Sequence, residues 1–176
     1  MSSIETLLAH WFYAIIFVTA SHHKIVHWQR FKASVFAYKI IPGFLVTFSA
    51  GLLTLAELIV IGALIFVQPI GLFLSGALLT IYLIAITINM ARGRHFIDCG
   101  CGDEPSPLSP ALVLRNILLT SGAFGAYFFG AWPVNIEITG SLVALSIAIA
   151  AAGVYFTIDQ LLANQGKYRR LWLGEY

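Results

Sequence analysis

Five apolar runs constrain this chain more than any other feature it has. They cover residues 4–20, 41–67, 70–90, 111–131 and 138–158, and each is close to the roughly 20 residues that a helix needs to cross a hydrocarbon core about 30 Å thick. Composition agrees, with 59% hydrophobic and only 10% charged residues, a balance that ordinary soluble domains do not reach. The expectation is an all-α integral membrane protein: a single bundle of about five transmembrane helices over residues 1–176, partnered by the lipid bilayer, with no separate soluble domain. Lys and Arg fall in the loops around the spans rather than on one folded face, so the net charge of +2 gives no ground for a nucleic-acid partner.

The first run ends at Val18-Thr19-Ala20, which imitates a signal-peptidase site. It is preceded by Glu5 and by no Lys or Arg, so the segment is expected to be retained as a span. His10 lies inside it, where a hydrogen bond to a neighbouring helix is the plainer role and proton handling the sharper one. From Ser21 to Lys39 cations and histidines interleave with Trp28, Phe31, Phe36 and Tyr38. That mixture suits an amphipathic helix in the headgroup region. A metal site at His22, His23 and His27 is poorly supported, because no thiolate or carboxylate lies nearby.

Span two enters at Pro42-Gly43 and carries Glu57. A carboxylate inside a span is costly unless paired, protonated or wetted, so Glu57 is a functional candidate, with protonated packing glue as the plainer reading. Depth counting puts it about 15 Å from the end of its helix and His10 about 9 Å deep from the same face, which invites a pairing of the two. Gln68-Pro69 makes a tight turn into span three, where Gly71, Ser75, Gly76 and Ala77 favour close helix contact. Ser109-Pro110 reads as N-cap and first residue of span four, with Arg115 and Asn116 in its first two turns.

With five spans, the basic segment, the loop between spans three and four and the C-terminal tail share one side of the membrane. Nine of the ten Lys and Arg residues lie in that group and the tenth, Arg115, sits within span four. The positive-inside rule, taken alone, turns this side to the cytoplasm.

The shared loop holds both cysteines of the chain, Cys99 and Cys101, with only Gly100 between them. Buried structural cysteines scatter and are inert, so this spacing is not a packing accident. A disulfide across so short a loop would contribute only about 1.6 kcal/mol by chain entropy, before strain is subtracted. Stability is therefore not its purpose. Strained, exposed disulfides are the oxidising, exchange-prone ones, and Gly100 and Gly102 let the backbone close tightly and a partner approach. Arg92, Arg94, His95 and Arg115 favour the thiolate, whereas Asp98, Asp103 and Glu104 oppose it. A metal reading through His95, Asp98, Cys99, Cys101 and Asp103 is weaker, since zinc sites space their thiols two or more residues apart. Redox exchange is favoured over both the metal and the inert readings.

At these residues the chain resembles a known family. Arg92-Gly93-Arg94, Asp98-Cys99-Gly100-Cys101-Gly102 and Leu114-Arg115-Asn116, with Pro42 and Glu57 upstream, resemble the MauE family of methylamine-utilisation membrane proteins, within the MauE/DoxX-like group. It departs at Gly102-Asp103, where an aromatic often follows the second cysteine. The resemblance implies a part in maturing the disulfide-rich small subunit of methylamine dehydrogenase, beside the thioredoxin-like, membrane-anchored partner MauD, with Cys99 and Cys101 as the exchanging thiols. In plan this is similar to vitamin K epoxide reductase homologues. Such a role needs the loop to face the periplasm from the bacterial cytoplasmic membrane, against the charge count, and we place it there because a redox loop without its partner has no task.

Three function classes follow: an accessory thiol–disulfide exchanger, a quinone-linked thiol oxidase and a scaffold or anchor without redox turnover. The oxidase would need a second cysteine pair or a quinone pocket. The sequence indicates no cofactor and no metal.

Overall fold

The structure, a computed structural model, describes residues 3–66, 69–94, 97, 108–132 and 138–173. Among the described residues six α-helices follow one another: α1 (Ser3–Val26), α2 (Trp28–Ala37), α3 (Val46–Ile65), α4 (Pro69–Ala91), α5 (Pro110–Phe129) and α6 (Ile138–Leu173), with a 3-10 turn over Gly43–Leu45 before α3. Five of the described stretches are long and apolar enough to cross a membrane: α1, Gly43–Ile65, α4, α5 and the first two-thirds of α6, Ile138–Leu161. The chain is a multi-pass, all-α membrane protein.

Helices answer the demand of hydrocarbon that every backbone N–H and C=O be bonded within the segment. Side-chain hydroxyls are met in the same way. Thr54, Ser75 and Thr80 donate to the carbonyls of Ala50, Gly71 and Gly76 one turn back, at 3.0, 2.8 and 2.7 Å.

α1 is the hub, packing on α3 and α6 and touching α4 and α5, while α4 is sandwiched between α3 and α5. Its buried face reads Thr6, His10, Tyr13, Phe17, Ser21, Lys24, a stripe at spacings of three and four that holds one side of a helix. The apolar core gathers around it, with Val60 and Leu64 from α3, Leu72 and Leu79 from α4 and Leu119 and Ala123 from α5. The small residues of span three serve close approach: a Cβ on Gly71 would stand 2.9 Å from the α3 backbone at Ala63, and one on Gly76 would stand 2.9 Å from the Phe124 ring.

The expected boundaries shift at two helices. α1 runs six residues past the expected end of span one, so Ser21 and Lys24 belong to a spanning helix and not to the amphipathic segment that follows. That segment, α2, is shorter than expected and continues α1 across a bend at His27, whose N–H still donates to the His23 carbonyl at 2.9 Å while its own carbonyl accepts from Phe31 at 3.0 Å. α6 likewise outruns the expected span five and brings in Asp159.

Candidate functional site

The C-G-C loop is mounted on two well-terminated helices. α4 ends at Ala91, and Gly93 just beyond it adopts a left-handed φ of 71°. The N–H of Gly93 donates to the Met90 carbonyl at 2.9 Å and that of Arg94 to the Asn89 carbonyl at 3.0 Å, the paired bonds of a Schellman motif that only a residue tolerant of positive φ closes cheaply. α5 starts as the sequence leads one to expect. Ser109 is its N-cap, with the hydroxyl oxygen accepting from the Leu112 N–H at 3.3 Å, and Pro110 opens the helix.

Between these ends the chain is drawn together. The Leu108 N–H donates to the Ile97 carbonyl at 3.3 Å, and Leu108 is buried with Ile86 and Leu112 in a small apolar plug against which Tyr38, Met90 and Ile97 pack. The loop therefore leaves from a closed base. His95, Asp98, Cys99, Gly100 and Cys101 lie outside the described residues. Arg92 caps the end of α4 and is exposed, and Arg94 follows the Schellman turn, half-buried.

Arg115 and Asn116 stand in the second turn of α5. Asn116 is buried and donates to the Leu112 carbonyl at 2.9 Å, which fixes its orientation along its own helix. Arg115 forms an ion pair with Asp159 of α6 and lies 6.0 Å from the centroid of the Tyr155 ring. A carboxylate thus compensates the Arg115 charge, and the thiols that the sequence sets it beside lie outside the described residues. Asp159 was missed because span five was drawn to stop one residue before it.

Glu57 is paired, but not with His10. Its carboxylate accepts from the Lys24 ammonium, from the Ser21 hydroxyl at 2.9 Å and from the Tyr82 hydroxyl at 2.7 Å, while Lys24 also donates to the Tyr82 oxygen at 3.1 Å. Helices α1, α3 and α4 each contribute to this cluster. His10 sits about 16 Å further back along α1, with its Nδ1 donating to the Thr6 carbonyl at 2.9 Å and its ring edge-on to Trp132 at 5.4 Å. Since a carbonyl only accepts, Nδ1 is the protonated ring nitrogen in this contact. Lys24 was hidden among the interfacial cations, although the signal was present: it continues the buried stripe of α1 one turn after Ser21.

Among the described residues no group of His, Cys, Asp and Glu is arranged to hold a metal ion. Two cation–carboxylate pairs stand in the described bundle, Lys24 with Glu57 and Arg115 with Asp159.

Comparison with known proteins follows the same residues. The family model "Methylamine utilisation protein MauE" matches residues 2–129, from the first span to the end of α5 and across the C-G-C loop. Proteins described as "Methylamine utilization protein MauE" are similar to this chain: that of Methylophilus methylotrophus is 29% identical over 161 residues, covering 89% of this chain and 85% of the relative. That of Methylorubrum extorquens is 34% identical over 155 residues, covering 86% and 81%, and that of Paracoccus denitrificans 35% identical over 115 residues, covering 62% and 61%. No solved structure matches the chain. With the matched segment taking in four of the five spans and the loop between them, the chain belongs to the MauE family of methylamine-utilisation proteins.

Proposed function

We propose that this protein is the membrane component of a thiol–disulfide exchange system. It assists disulfide formation or isomerisation in a disulfide-rich periplasmic protein, the small subunit of methylamine dehydrogenase, acting with the thioredoxin-like partner MauD. The observation that carries this reading is the closed base of the loop. Two cysteines one residue apart lie in sequence between Ile97 and Leu108, whose backbones are hydrogen-bonded to each other. A Schellman turn and an N-cap fix the two helix ends that flank them in the chain. Membership of a methylamine-utilisation family supplies the context. In this reading the bundle lies in the cytoplasmic membrane with the loop toward the periplasm.

Exchange proceeds by thiolate attack through a mixed disulfide. Cys101 attacks first, being the nearer in sequence to the N-terminus of α5, a helix end whose dipole favours a thiolate; Cys99 resolves. A Cys99→Ser variant should therefore accumulate a covalent adduct with MauD, seen as a reducible band on a non-reducing gel and absent from the double serine variant. If neither single variant traps a partner and the double variant still supports maturation of the substrate, the protein is a scaffold without redox turnover.

A further inference from the structure

A cavity of about 300 Å³ lies between α2, α3 and α4, toward the end of the bundle where α4 gives way to the C-G-C loop. Its walls are almost wholly apolar, with the Phe31, Tyr38 and Tyr82 rings among them. Leu52 and Ile81 line it and yet are 55% and 52% exposed on the outer surface. On a spanning bundle that surface faces lipid, so an occupant arrives from the bilayer.

Beside the hydroxyls of Ser34, Ser49 and the two tyrosines, the lining carries one charged group, Lys24, which is itself only 2% exposed. The ammonium has three donors. One goes to Glu57 and one to the Tyr82 hydroxyl, which leaves a third for an acceptor in the cavity. The same ammonium lies 5.0 Å from the Phe31 ring centroid and 4.6 Å from that of Tyr82, so the third donor is flanked by aromatic surfaces.

The charges select the occupant. A cation would meet the ammonium directly, and a second anion would stand one residue away from Glu57, which already neutralises Lys24. A neutral oxygen acceptor meets neither objection. The aromatic walls favour a planar ring over a bare chain, and the volume, at the lower end of small-molecule sites, takes a ring and the start of a tail but not a whole lipid. We propose that this cavity binds a membrane-soluble quinone-class molecule, with one ring carbonyl accepting from Lys24 and the tail leaving between Leu52 and Ile81. The binding is independent of whether Cys99 and Cys101 exchange, so the two proposals fail separately.

The test is equilibrium binding of a short-tailed ubiquinone to the purified full chain in lipid nanodiscs. Saturable binding at one site per chain is expected. Ala85→Trp, which places an indole in the cavity from α4, should abolish it, and Ser49→Phe does the same from α3 if the first variant does not fold. Lys24→Met combined with Glu57→Gln removes the donor while leaving no unpaired charge and should weaken binding about tenfold. Methyl oleate, a neutral chain without a ring, should not compete. The proposal is overturned if the wild-type chain shows no saturable binding, if the cavity-filling variants bind as well as wild type, or if methyl oleate displaces the quinone at equal concentration, which would make the cavity an acyl-chain site.

Discussion

Lys24 of α1 and Glu57 of α3 are joined as an ion pair inside the bundle, their side chains 2% and 1% exposed. Opposite charges at this depth stay because each satisfies the other and because Ser21 and Tyr82 take up remaining hydrogen-bonding capacity. The cluster ties three helices at a point where apolar packing alone would leave their rotation and register less defined. It also sets what each single replacement costs.

Glu57→Gln should be harsh rather than mild. The amide's single oxygen keeps only one of the hydrogen bonds from Ser21 and Tyr82, which Glu57 accepts on different oxygens, and strands the Lys24 charge; breaking one side of a buried pair costs about 3–5 kcal/mol. Combining it with Lys24→Met should recover most of the loss, since no unpaired charge is left. Thermal unfolding in detergent, followed by size-exclusion fluorescence, measures both. Equal stability for Glu57→Gln and the double variant would show that the pair is not ionised in the folded protein.

The Arg115–Asp159 pair should behave differently. Its side chains are 12% and 29% exposed, so screening reduces its worth to about 1 kcal/mol or less. Arg115→Ala and Asp159→Ala should each lower stability by no more than that, and the double variant should fall short of the sum. A double-mutant cycle on unfolding midpoints checks the coupling; strict additivity would mean that the pair does not hold α6 to α5.

The spans were legible because hydrocarbon thickness dictates run length, and the Ser109-Pro110 start of α5 was legible because capping is local chemistry. What could not be read was which polar residues share an interface. His10 and Glu57 came within about 6 Å of each other in depth by counting, yet depth says nothing about which helix faces which or how far α1 is displaced along its axis. Polarity was also taken to end the first span at Ala20, whereas Lys24 remains inside because Glu57 waits for it on another helix. Gly93 was within reach: a glycine just past the last apolar turn and between two arginines is the signature of the Schellman end seen here.

Glycines of the spans should separate into two kinds. Gly71→Val forces a side chain against the α3 backbone, 2.9 Å from where its Cβ would lie, and should cost about 1–3 kcal/mol. Gly62 of α3 has nothing within 4 Å of the same position, so Gly62→Ala should be neutral or stabilise by up to about 1 kcal/mol through lower backbone entropy in the unfolded chain. Unfolding midpoints of the two variants in one detergent make the comparison. Similar losses in both would mean that α3 and α4 do not approach as closely as Gly71 implies.

Orientation is the remaining test, and two physical arguments oppose each other in it. Cations gather on the side of the C-G-C loop: Arg92 and Arg94 just past the end of α4, Lys32 within α2 and Lys39 after it, and Lys167, Arg169 and Arg170 in the last turns of α6. Counted alone they hold that side in the cytoplasm. One of the nine, however, does not count as a free loop charge. Lys24 is neutralised inside the bundle by Glu57, which weakens the bias without removing it. Exchange with a periplasmic partner requires the opposite orientation. After mild reduction of intact cells, a membrane-impermeant maleimide should modify Cys99 and Cys101, and prior treatment with a permeant blocker should prevent it. Modification only after permeabilisation would place the loop in the cytoplasm, and the partner of these thiols would then have to be a cytoplasmic protein.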